Sequence, residues 1–279
     1  MIKIKPFLQW AGGKNSLVSL FHTYTPSALS GYDTYIEPFV GAGAMAIHLL
    51  ANGHQFKKVI ISDLNPVLMN TYRVIQRQPY ELVEHLEQLK QEYHRLTEME
   101  DKRVYFLKLR NVYNTGNHSP LLRAALFIFL NKTGFSGLFR VNSKNEYNVS
   151  FGKLMKPIVF CKENILKIHD LLQGVEIYSQ DFASMRKRIC GKTFIYLDPP
   201  YYPVSKTAGF CAYTVGGFND REQMRLADFC KTLSCDWMLS NSDTHFISSL
   251  YKNFHIRKIT AKRLIGKNEE VTELLITNY

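Results

Sequence analysis

Residues 35–46 read YIEPFVGAGAMA, in which a short apolar run is followed by two closely spaced glycines. The apolar run is typical of a buried strand in a parallel sheet. Gly41 and Gly43 then predict a tight turn, and the apolar positions from 44 to 51 predict the helix that follows. A strand, a glycine-rich turn and a helix in this order indicate a Rossmann-like sheet with a ligand site at the turn.

Other segments repeat the alternation of strand and helix. Short apolar runs predict further strands over 57–62, 175–178, 193–197, 237–240 and 273–277. A helical pattern over 221–233 lies between two of these runs. The alternation predicts an α/β fold with a doubly wound sheet, in which ligands bind at the carboxyl ends of the strands.

The middle of the chain has a different pattern. Residues 66–110 are predicted to be helical, and their leucines at helical spacing are most simply explained by core packing. Residues 121–130 predict an apolar helix. The segment 131–142 predicts a loop, because it is rich in glycine, asparagine and basic residues with aromatic residues between them.

These patterns predict two domains. The strand segments at both ends of the chain form one domain over 1–68 and 157–279. Residues 69–156 form an inserted, mainly helical domain, since the chain leaves the sheet after Asp63 and returns before Val175.

The composition indicates a folded protein with a polyanionic partner. The chain of 279 residues is 46% hydrophobic, and Lys and Arg exceed Asp and Glu by 35 − 24 = 11. No apolar run approaches the roughly 20 residues that span a bilayer. The first residues lack the apolar core of a signal peptide, so a cytoplasmic location is expected. Five cysteines without a C-x-x-C pair and nine histidines without H-E-x-x-H predict neither a disulfide framework nor a metal site.

The glycine-rich turn fits two cofactors. Residues 41–46 read G-x-G-x-x-A and Asp63 follows 20 residues after Gly43, as in dinucleotide-binding proteins. Glu37 argues against a dinucleotide, because a carboxylate beside the turn would repel a pyrophosphate. The same carboxylate suits S-adenosylmethionine, which carries an ammonium and a sulfonium and has a ribose for Asp63 to bind. The turn alone does not separate the two cofactors, and an ordinary tight turn is the simpler alternative.

The segment Asp198-Pro199-Pro200-Tyr201 follows the strand over 193–197 and points to a chemistry. Adjacent prolines make the segment stiff and extended, and they have no N–H to compete for its carbonyls. The Asp198 carboxylate and a neighbouring carbonyl form two fixed acceptors, which suit an exocyclic –NH₂ group. Accepting hydrogen bonds from both N–H groups of adenine N6 would direct the nitrogen lone pair at a methyl donor. Tyr201 offers a face on which a flipped-out base can stack. Alone, the motif could be only a sharp turn.

In this order the segments resemble the D12-class, Dam-type DNA adenine-N6 methyltransferases over nearly the whole chain. Tyr35 to Gly43 is similar to the family's E-P-F-x-G-x-G motif, and residues 198–201 are similar to its catalytic motif. The other matching segments are 7–14 (cofactor motif), 62–65 (ribose-binding segment), 131–140 and 148–152 (target-recognition region), and 239–243 (a later strand).

The resemblance implies S-adenosylmethionine as cofactor and identifies its site. The implied cofactor contacts are Trp10, Lys14, Asp63 and Asp198, with Glu37, Phe39, Gly41 and Gly43 on the methionine side and Asp181 and Phe182 at the adenine. For Asp181 a simple helix cap is an equal alternative. The resemblance also makes Asp198, Pro199 and Tyr201 the catalytic residues.

The resemblance further implies that residues 69–156 recognise double-stranded DNA. Phe135 would wedge into the base stack, Leu138 would contact a thymine methyl, and Arg140 would bind guanine O6 and N7. The implied DNA contacts are Lys132, Phe135, Ser136, Leu138, Arg140, Asn142 and Lys153. The N-K-T-G-F-x-G-L-x-R pattern makes GATC the expected site. Without the resemblance, a solvated glycine-rich surface hairpin would be the simpler reading.

The chain departs from the family pattern at three positions. Ser136 stands where Asn is expected, Ser150 where Pro is usual, and Lys153 where Arg is common. Lys cannot form the planar two-bond fork of Arg, so these changes affect the predicted sequence specificity more than the chemistry.

The sequence thus predicts a monomeric adenine-specific DNA methyltransferase that acts on N6. Three alternatives remain open on the residues alone. They are an NAD-dependent oxidoreductase using residues 41–46, a catalytically silent DNA-binding regulator, and a methyltransferase acting on protein glutamine or RNA.

Overall fold

The computed structural model describes residues 4–10, 17–26, 29–204, 217–262 and 270–279. A seven-stranded sheet has the order β3-β2-β1-β4-β5-β7-β6. The strands are β1 Thr34–Glu37, β2 Lys58–Ser62, β3 Glu176–Tyr178, β4 Thr193–Leu197, β5 Asp236–Ser242, β6 His255–Lys262 and β7 Glu270–Thr277. The predicted α/β fold with a Rossmann-like sheet is therefore confirmed.

The strand order reverses at the centre of the sheet. β1 pairs in parallel with both β2 and β4, so β2 and β3 extend to one side and β5 to the other. Every residue of β1 and β4 is buried, which explains their continuous apolar runs. In open α/β sheets the ligand site lies outside the carboxyl ends of the strands at such a reversal.

Two antiparallel pairings complete the sheet. β7 lies antiparallel between β5 and β6, and Glu273 on β7 is opposite Ser242 on β5. The N-terminal half of β7 therefore lies at the carboxyl end of β5. The sequence did not predict β6, because its charged and polar residues, HIRKITAK, give no apolar run at this edge of the sheet.

The helices flank the strands along the chain. They are α1 Val18–His22, α2 Ala44–Ala51, α3 Pro66–Arg77, α4 Pro79–Arg95, α5 Met99–Thr115, α6 Pro120–Thr133, α7 Lys162–Leu171, α8 Asp220–Lys231 and α9 His245–Leu250. Asn65, Ser119 and Asn219 cap α3, α6 and α8 with their side-chain oxygens. Buried residues follow one another from Ala124 to Asn131, and α6 packs against α3, α4 and α5. No described helix is long and apolar enough to cross a membrane.

Several boundaries differ from the sequence predictions, among them the ends of α6 and α8. The predicted loop over 131–142 was wrong at its start, because α6 continues to Thr133. Asn131 and Thr133 are buried side chains that extend the core face of this helix. The predicted helix over 221–233 ends two residues earlier, at Lys231.

The chain forms two compact units. One unit, called here the helical unit, comprises Met1–Gly13, Gly41–Gly43 and Asn65–Gln173. The other, the sheet unit, comprises Lys14–Val40, Ala44–Leu64 and Gly174–Tyr279. The helical unit is larger than the predicted insert over 69–156, and the assignment of catalysis and DNA recognition to separate domains stays a prediction.

Candidate functional site

Acidic residues follow four neighbouring strands of the sheet unit. Glu37 is the last residue of β1, Asp63 follows β2, Asp198 follows β4, and Asp181 lies three residues after β3. Because these strands are parallel, their carboxyl ends lie along one edge of the sheet. The structure thus brings these predicted residues to the edge at which ligands of such sheets bind.

Glu37 is a deeply buried acidic residue at the end of β1. Its side chain is 2% exposed, and its Oε2 accepts a hydrogen bond of 2.7 Å from the Tyr35 hydroxyl. Burial raises the pKa of Glu37 to about 8, and the charge of Asp198 acts in the same direction, whereas hydrogen bonds from Tyr35 and the Ala46 backbone lower it. None of the basic side chains described forms an ion pair with Glu37. A cationic ligand would satisfy this carboxyl, so the site fits a ligand with an ammonium or a sulfonium.

Asp198 is held in place by Ser240, which the sequence analysis missed. The Ser240 hydroxyl donates a 2.6 Å hydrogen bond to Asp198 Oδ1. Ser240 lies fully buried on β5, and its oxygen is 3.2 Å from the Tyr196 hydroxyl. Because Ser240 uses its one proton on Asp198, Tyr196 is the donor in the second bond. The signal was present in the segment 239–243, but a serine in a strand gives no indication of its partner.

Tyr201 is fixed from the neighbouring antiparallel strand. Its hydroxyl donates a 2.8 Å hydrogen bond to Glu273 on β7, a residue that is 5% exposed. Desolvation raises the pKa of Tyr201, and the charges of Asp198 and Glu273 raise it further. The phenol therefore stays protonated and keeps its role as donor. Glu273 was also missed, because nothing in the sequence indicates that β7 is inserted beside β5.

Asp181 is engaged in an ion pair and a helix cap. Its Oδ1 accepts from the Ala183 backbone at 2.9 Å and caps the 3₁₀ helix Phe182–Arg188. Arg225 donates to both carboxylate oxygens, at 2.8 and 2.7 Å. The helix-cap alternative is therefore what the structure contains. A contact between Asp181 and a cofactor stays a prediction.

An aromatic cluster surrounds Phe182. The ring of Phe39 lies 5.4 Å from that of Phe182 and 5.7 Å from that of Phe218. The guanidinium of Arg225 lies 4.1 Å from the centre of the Phe182 ring. Phe39 and Phe182 were predicted site residues, whereas Phe218 was missed because its segment has no recognisable motif. Planar rings of this kind can stack on a purine.

In the helical unit, Trp10 packs against the glycine-rich turn. A Cβ atom on Gly41 would lie 3.0 Å from Trp10 Cδ1, and Gly41 has a positive φ of 48°. The Tyr72 hydroxyl donates to the Gly41 carbonyl at 3.0 Å. Trp10 also stacks on Phe139, with ring centroids 5.9 Å apart and planes 15° apart. Only glycine fits this turn, which explains the motif, and predicted Lys14 lies outside the described residues.

Residues 134–152 form a hairpin that is anchored through Asn131. The Asn131 amide donates to the carbonyls of Gln9 and Gly137 at 2.8 and 2.7 Å, and its oxygen accepts from the Gln9 backbone at 2.9 Å. Isolated bridges join Gly134 to Phe151 and Val141 to Tyr147. We call residues 134–152 the recognition hairpin.

The predicted DNA contacts occupy different environments. Phe135 is 57% exposed, although large apolar side chains are usually covered. Arg140 is exposed and its Nε donates to Asn148 Oδ1 at 2.8 Å, which orients the guanidinium. Desolvation lowers the pKa of Lys132 to about 8. Leu138 is partly buried.

Two of the three positions at which the chain departs from the family pattern have a left-handed backbone conformation. Ser136 and Lys153 have positive φ values of 54° and 56°. Asn tolerates the left-handed region better than most residues, which explains why Asn is the expected residue at 136. Asn142 forms bonds within the turn: its oxygen accepts from the backbones of Lys144 and Glu146, and its amide donates to the Glu146 carboxylate. DNA contacts by Ser136, Asn142 and Lys153 stay predictions.

Replacement of Gly137 by Ala is expected to destabilise the recognition hairpin. Gly137 has a φ of 62°, and a Cβ atom there would lie 2.4 Å from Gln9 Cβ. Gly53→Ala is the matched control, because Gly53 has a φ of 81° with nothing near the new Cβ. We expect Gly53→Ala to cost about 1–2 kcal/mol from conformation alone, and Gly137→Ala to cost more. Equal decreases in Tm for the two variants would contradict the close approach.

Fold and site together define an α/β protein with acidic side chains at the point where the strand order of the sheet reverses. Its D-P-P-Y segment is held by hydrogen bonds from Ser240 to Asp198 and from Tyr201 to Glu273. The D12 class N6 adenine-specific DNA methyltransferase family model matches residues 10–265. The chain belongs to this family, which confirms the resemblance read from its motifs. Its activity class is therefore adenine-specific methylation of DNA, and the oxidoreductase alternative is set aside.

Three named relatives match along all or nearly all of their length. The chain is 40% identical to the type II methyltransferase M.MjaIII of Methanocaldococcus jannaschii, covering all of both proteins. It is 35% identical to the type II methyltransferase M1.LlaDCHI of Lactococcus lactis subsp. cremoris, covering all of this chain and 96% of that protein. It is 30% identical to the DNA adenine methylase of Escherichia coli K12, covering 99% of this chain and 95% of that protein.

Proposed function

We propose that this protein transfers a methyl group from S-adenosylmethionine to N6 of a flipped-out adenine in duplex DNA, within the sequence GATC. The observation that carries the proposal is the fixed position of Asp198, which Ser240 holds at 2.6 Å beside the two prolines. Acceptors held in this way suit an amine whose hydrogens must point in defined directions.

The proposed cofactor site consists of the residues predicted from the sequence, and Glu37 is distinguished among them by its raised pKa. The Glu37 carboxyl, buried and without a basic partner among the described residues, would bind the positive charge of the cofactor. Asp63 would bind the ribose, Phe39 would line the methionine side, and Phe182 would contact the adenine ring. The remaining proposed contacts are Trp10, Lys14, Gly41, Gly43, Asp181 and Asp198.

The proposed chemistry rests on two acceptors. S-adenosylmethionine, when bound, supplies a methyl group on a positively charged sulfur. Asp198 and the Pro199 carbonyl each accept a hydrogen bond from one N–H group of the adenine amine, and together they orient its lone pair. Asp198 stabilises the positive charge that develops on the nitrogen. Tyr201, held by Glu273, stacks on the base that has left the duplex.

The proposed DNA contacts lie on α6 and the recognition hairpin. Phe135 enters the base stack, Leu138 contacts a thymine methyl, and Arg140 reads a guanine. The further proposed DNA contacts are Lys132, Ser136, Asn142 and Lys153. The exposure of Phe135 and the fixed orientation of Arg140 support these assignments.

Methylation of plasmid DNA tests the whole proposal. Plasmid that lacks adenine methylation is incubated with the protein and S-adenosylmethionine and then read by single-molecule sequencing. The expected result is N6-methyladenine at GATC. Methylation at another sequence would refute the GATC assignment alone, whereas no methylated adenine at any sequence would refute the proposed function.

Arg140→Ala is expected to relax specificity at one base pair. If Arg140 donates two hydrogen bonds to guanine, its loss costs about 1–3 kcal/mol on GATC and little on a site with that base changed. Lys144→Ala, an exposed change in the same hairpin, is the control. The measurement is DNA affinity on both sites over a range of salt concentrations. An equal loss on both sites with a shallower salt dependence would make Arg140 a phosphate contact.

A further inference from the structure

The backbone on either side of Tyr201 is held by the side chains of three buried polar residues. Gln223 on α8 and Asn241 on β5 are both 0% exposed, and Ser242 is 3% exposed. We propose that Gln223 is a positioning residue for methyl transfer: with Asn241 and Ser242, it fixes the D-P-P-Y segment so that the Pro199 carbonyl faces the substrate amine. This inference rests on the proposed function and deepens it.

The network runs from α8 to the catalytic segment through one continuous set of bonds. Gln223 Nε2 donates to the Pro200 carbonyl at 2.9 Å. Asn241 Nδ2 donates to Gln223 Oε1 at 3.1 Å, and Asn241 Oδ1 accepts from the Tyr202 backbone at 3.0 Å. The Ser242 hydroxyl donates to the Tyr202 carbonyl at 2.7 Å. The catalytic segment is thus bonded at Pro200 and on both sides of Tyr202.

The network requires amides with one orientation. If the Gln223 amide were rotated by half a turn, its oxygen would face the Pro200 carbonyl and its nitrogen would face the Asn241 amide nitrogen. Both contacts would be repulsive, and buried polar groups left without a partner cost about 1–3 kcal/mol each. The observed orientation is therefore the one that satisfies every group, and it leaves the catalytic segment in a single position.

The network determines which backbone carbonyl can accept a hydrogen bond from the substrate amine. Gln223 occupies the Pro200 carbonyl and Ser242 occupies the Tyr202 carbonyl. Within the described part of the chain, no hydrogen bond reaches the Pro199 carbonyl. Since neither proline has an N–H, Pro199 offers an acceptor next to Asp198 without a nearby competing donor. A shift of about 1 Å in such a group can cost about 100-fold in rate.

The Gln223→Glu variant distinguishes a positioning role for Gln223 from a purely structural one by the response of kcat to pH. A protonated Glu side chain can still donate to the Pro200 carbonyl and accept from Asn241. An ionised Glu has no proton to donate and would face a carbonyl oxygen. Burial raises the pKa of a carboxyl, so the change between the two forms falls in a range where enzymes can be assayed.

The expected result is a pH-dependent loss of kcat in the Gln223→Glu variant. Relative to the wild type at each pH, we expect kcat to fall about 100-fold near pH 8.5 and to recover to within about fivefold near pH 6. Taking the ratio to the wild type removes the titrations of other groups. Leu226→Val, a core change on the same helix, is the control for lost stability and is expected to show a ratio that does not vary with pH. A Gln223→Glu ratio that does not vary with pH would overturn the proposal.

Amide hydrogen exchange at Tyr202 tests the network without substrate. The Tyr202 N–H donates to Asn241, so its exchange should be slow in the wild type and at least about tenfold faster in Gln223→Met at equal global stability. Unchanged exchange at Tyr202 would overturn the network. If the wild type methylates no DNA while Tyr202 still exchanges faster in the variant, the proposed function fails and the bracing of the segment stands.

Discussion

Asp198→Ala should abolish methylation while the fold is retained. Removal of one preorganised group that stabilises developing charge costs about 10²–10³-fold in kcat, and Asp198 is proposed to orient the amine as well. We therefore expect a loss of at least about 10³-fold. The measurement is single-turnover methyl transfer to a GATC duplex, with circular dichroism and Tm to show that the protein is folded.

A control substitution separates the loss of the catalytic group from the loss of one negative charge. Asp228→Ala removes an exposed carboxylate on α8 that pairs with Lys231, and its activity should stay near that of the wild type. Ser240→Ala should have an intermediate effect, because Asp198 keeps its charge but loses a 2.6 Å bond. Substantial methylation by Asp198→Ala would exclude the proposed mechanism, whereas inactivity with normal DNA binding would fit it.

Glu37→Gln should weaken cofactor binding and remove its pH dependence. A buried carboxylate opposite a cation contributes strongly, so we expect a loss of about 100-fold in affinity above pH 8. Because the pKa of Glu37 is about 8 in the folded protein, the wild type must lose a proton to bind the cation well. Its affinity should therefore rise with pH by up to about tenfold per unit until about pH 8 and then level off.

The assay for Glu37 should omit DNA. Desolvation lowers the pKa of Lys132 to about 8, so DNA binding through this residue should weaken as pH rises through the same range. The two titrations have opposite effects on methylation and would partly cancel. Calorimetry of S-adenosylmethionine binding to the protein alone separates them, and proton release on binding gives a second signal. Wild-type affinity that does not change between about pH 6 and 8 would refute the assigned role of Glu37.

The same residue links pH to stability. The pKa of Glu37 is raised from 4.5 to about 8 on folding, so the native state binds more protons than the unfolded state between these values. The contribution of Glu37 to the free energy of unfolding is therefore complete below about pH 4.5 and is lost as pH rises to about 8. Denaturant titrations of the wild type and Glu37→Gln across this range should diverge in that direction.

Local patterns predicted most of the fold. β1, β2 and β4 were readable because strands of a parallel sheet are buried on both faces and have continuous apolar runs. β6 was not readable, since an edge strand with Lys258 and Arg257 lacks that run. The start of the recognition hairpin was misplaced because Asn131 and Thr133 are polar, although both are buried at the end of α6.

The candidate site likewise contains some residues that the local sequence predicts and others that it does not. The positions of Glu37, Asp63 and Asp198 at strand ends could be predicted, because position at the end of a strand is a property of the local sequence. Ser240, Gln223 and Glu273 could not, because their roles depend on which strand lies beside which. Glu273 contacts Tyr201 only because β7 is inserted antiparallel next to β5.

That antiparallel strand also affects the order in which the site matures during synthesis. The other six strands and the D-P-P-Y segment leave the ribosome before β7, and Glu273 follows Tyr201 by 72 residues. At about 5–20 residues per second, a nascent chain would hold Tyr201 for several seconds before its partner emerges. Methylation competence should therefore appear only after β7 has left the ribosome and joined the sheet.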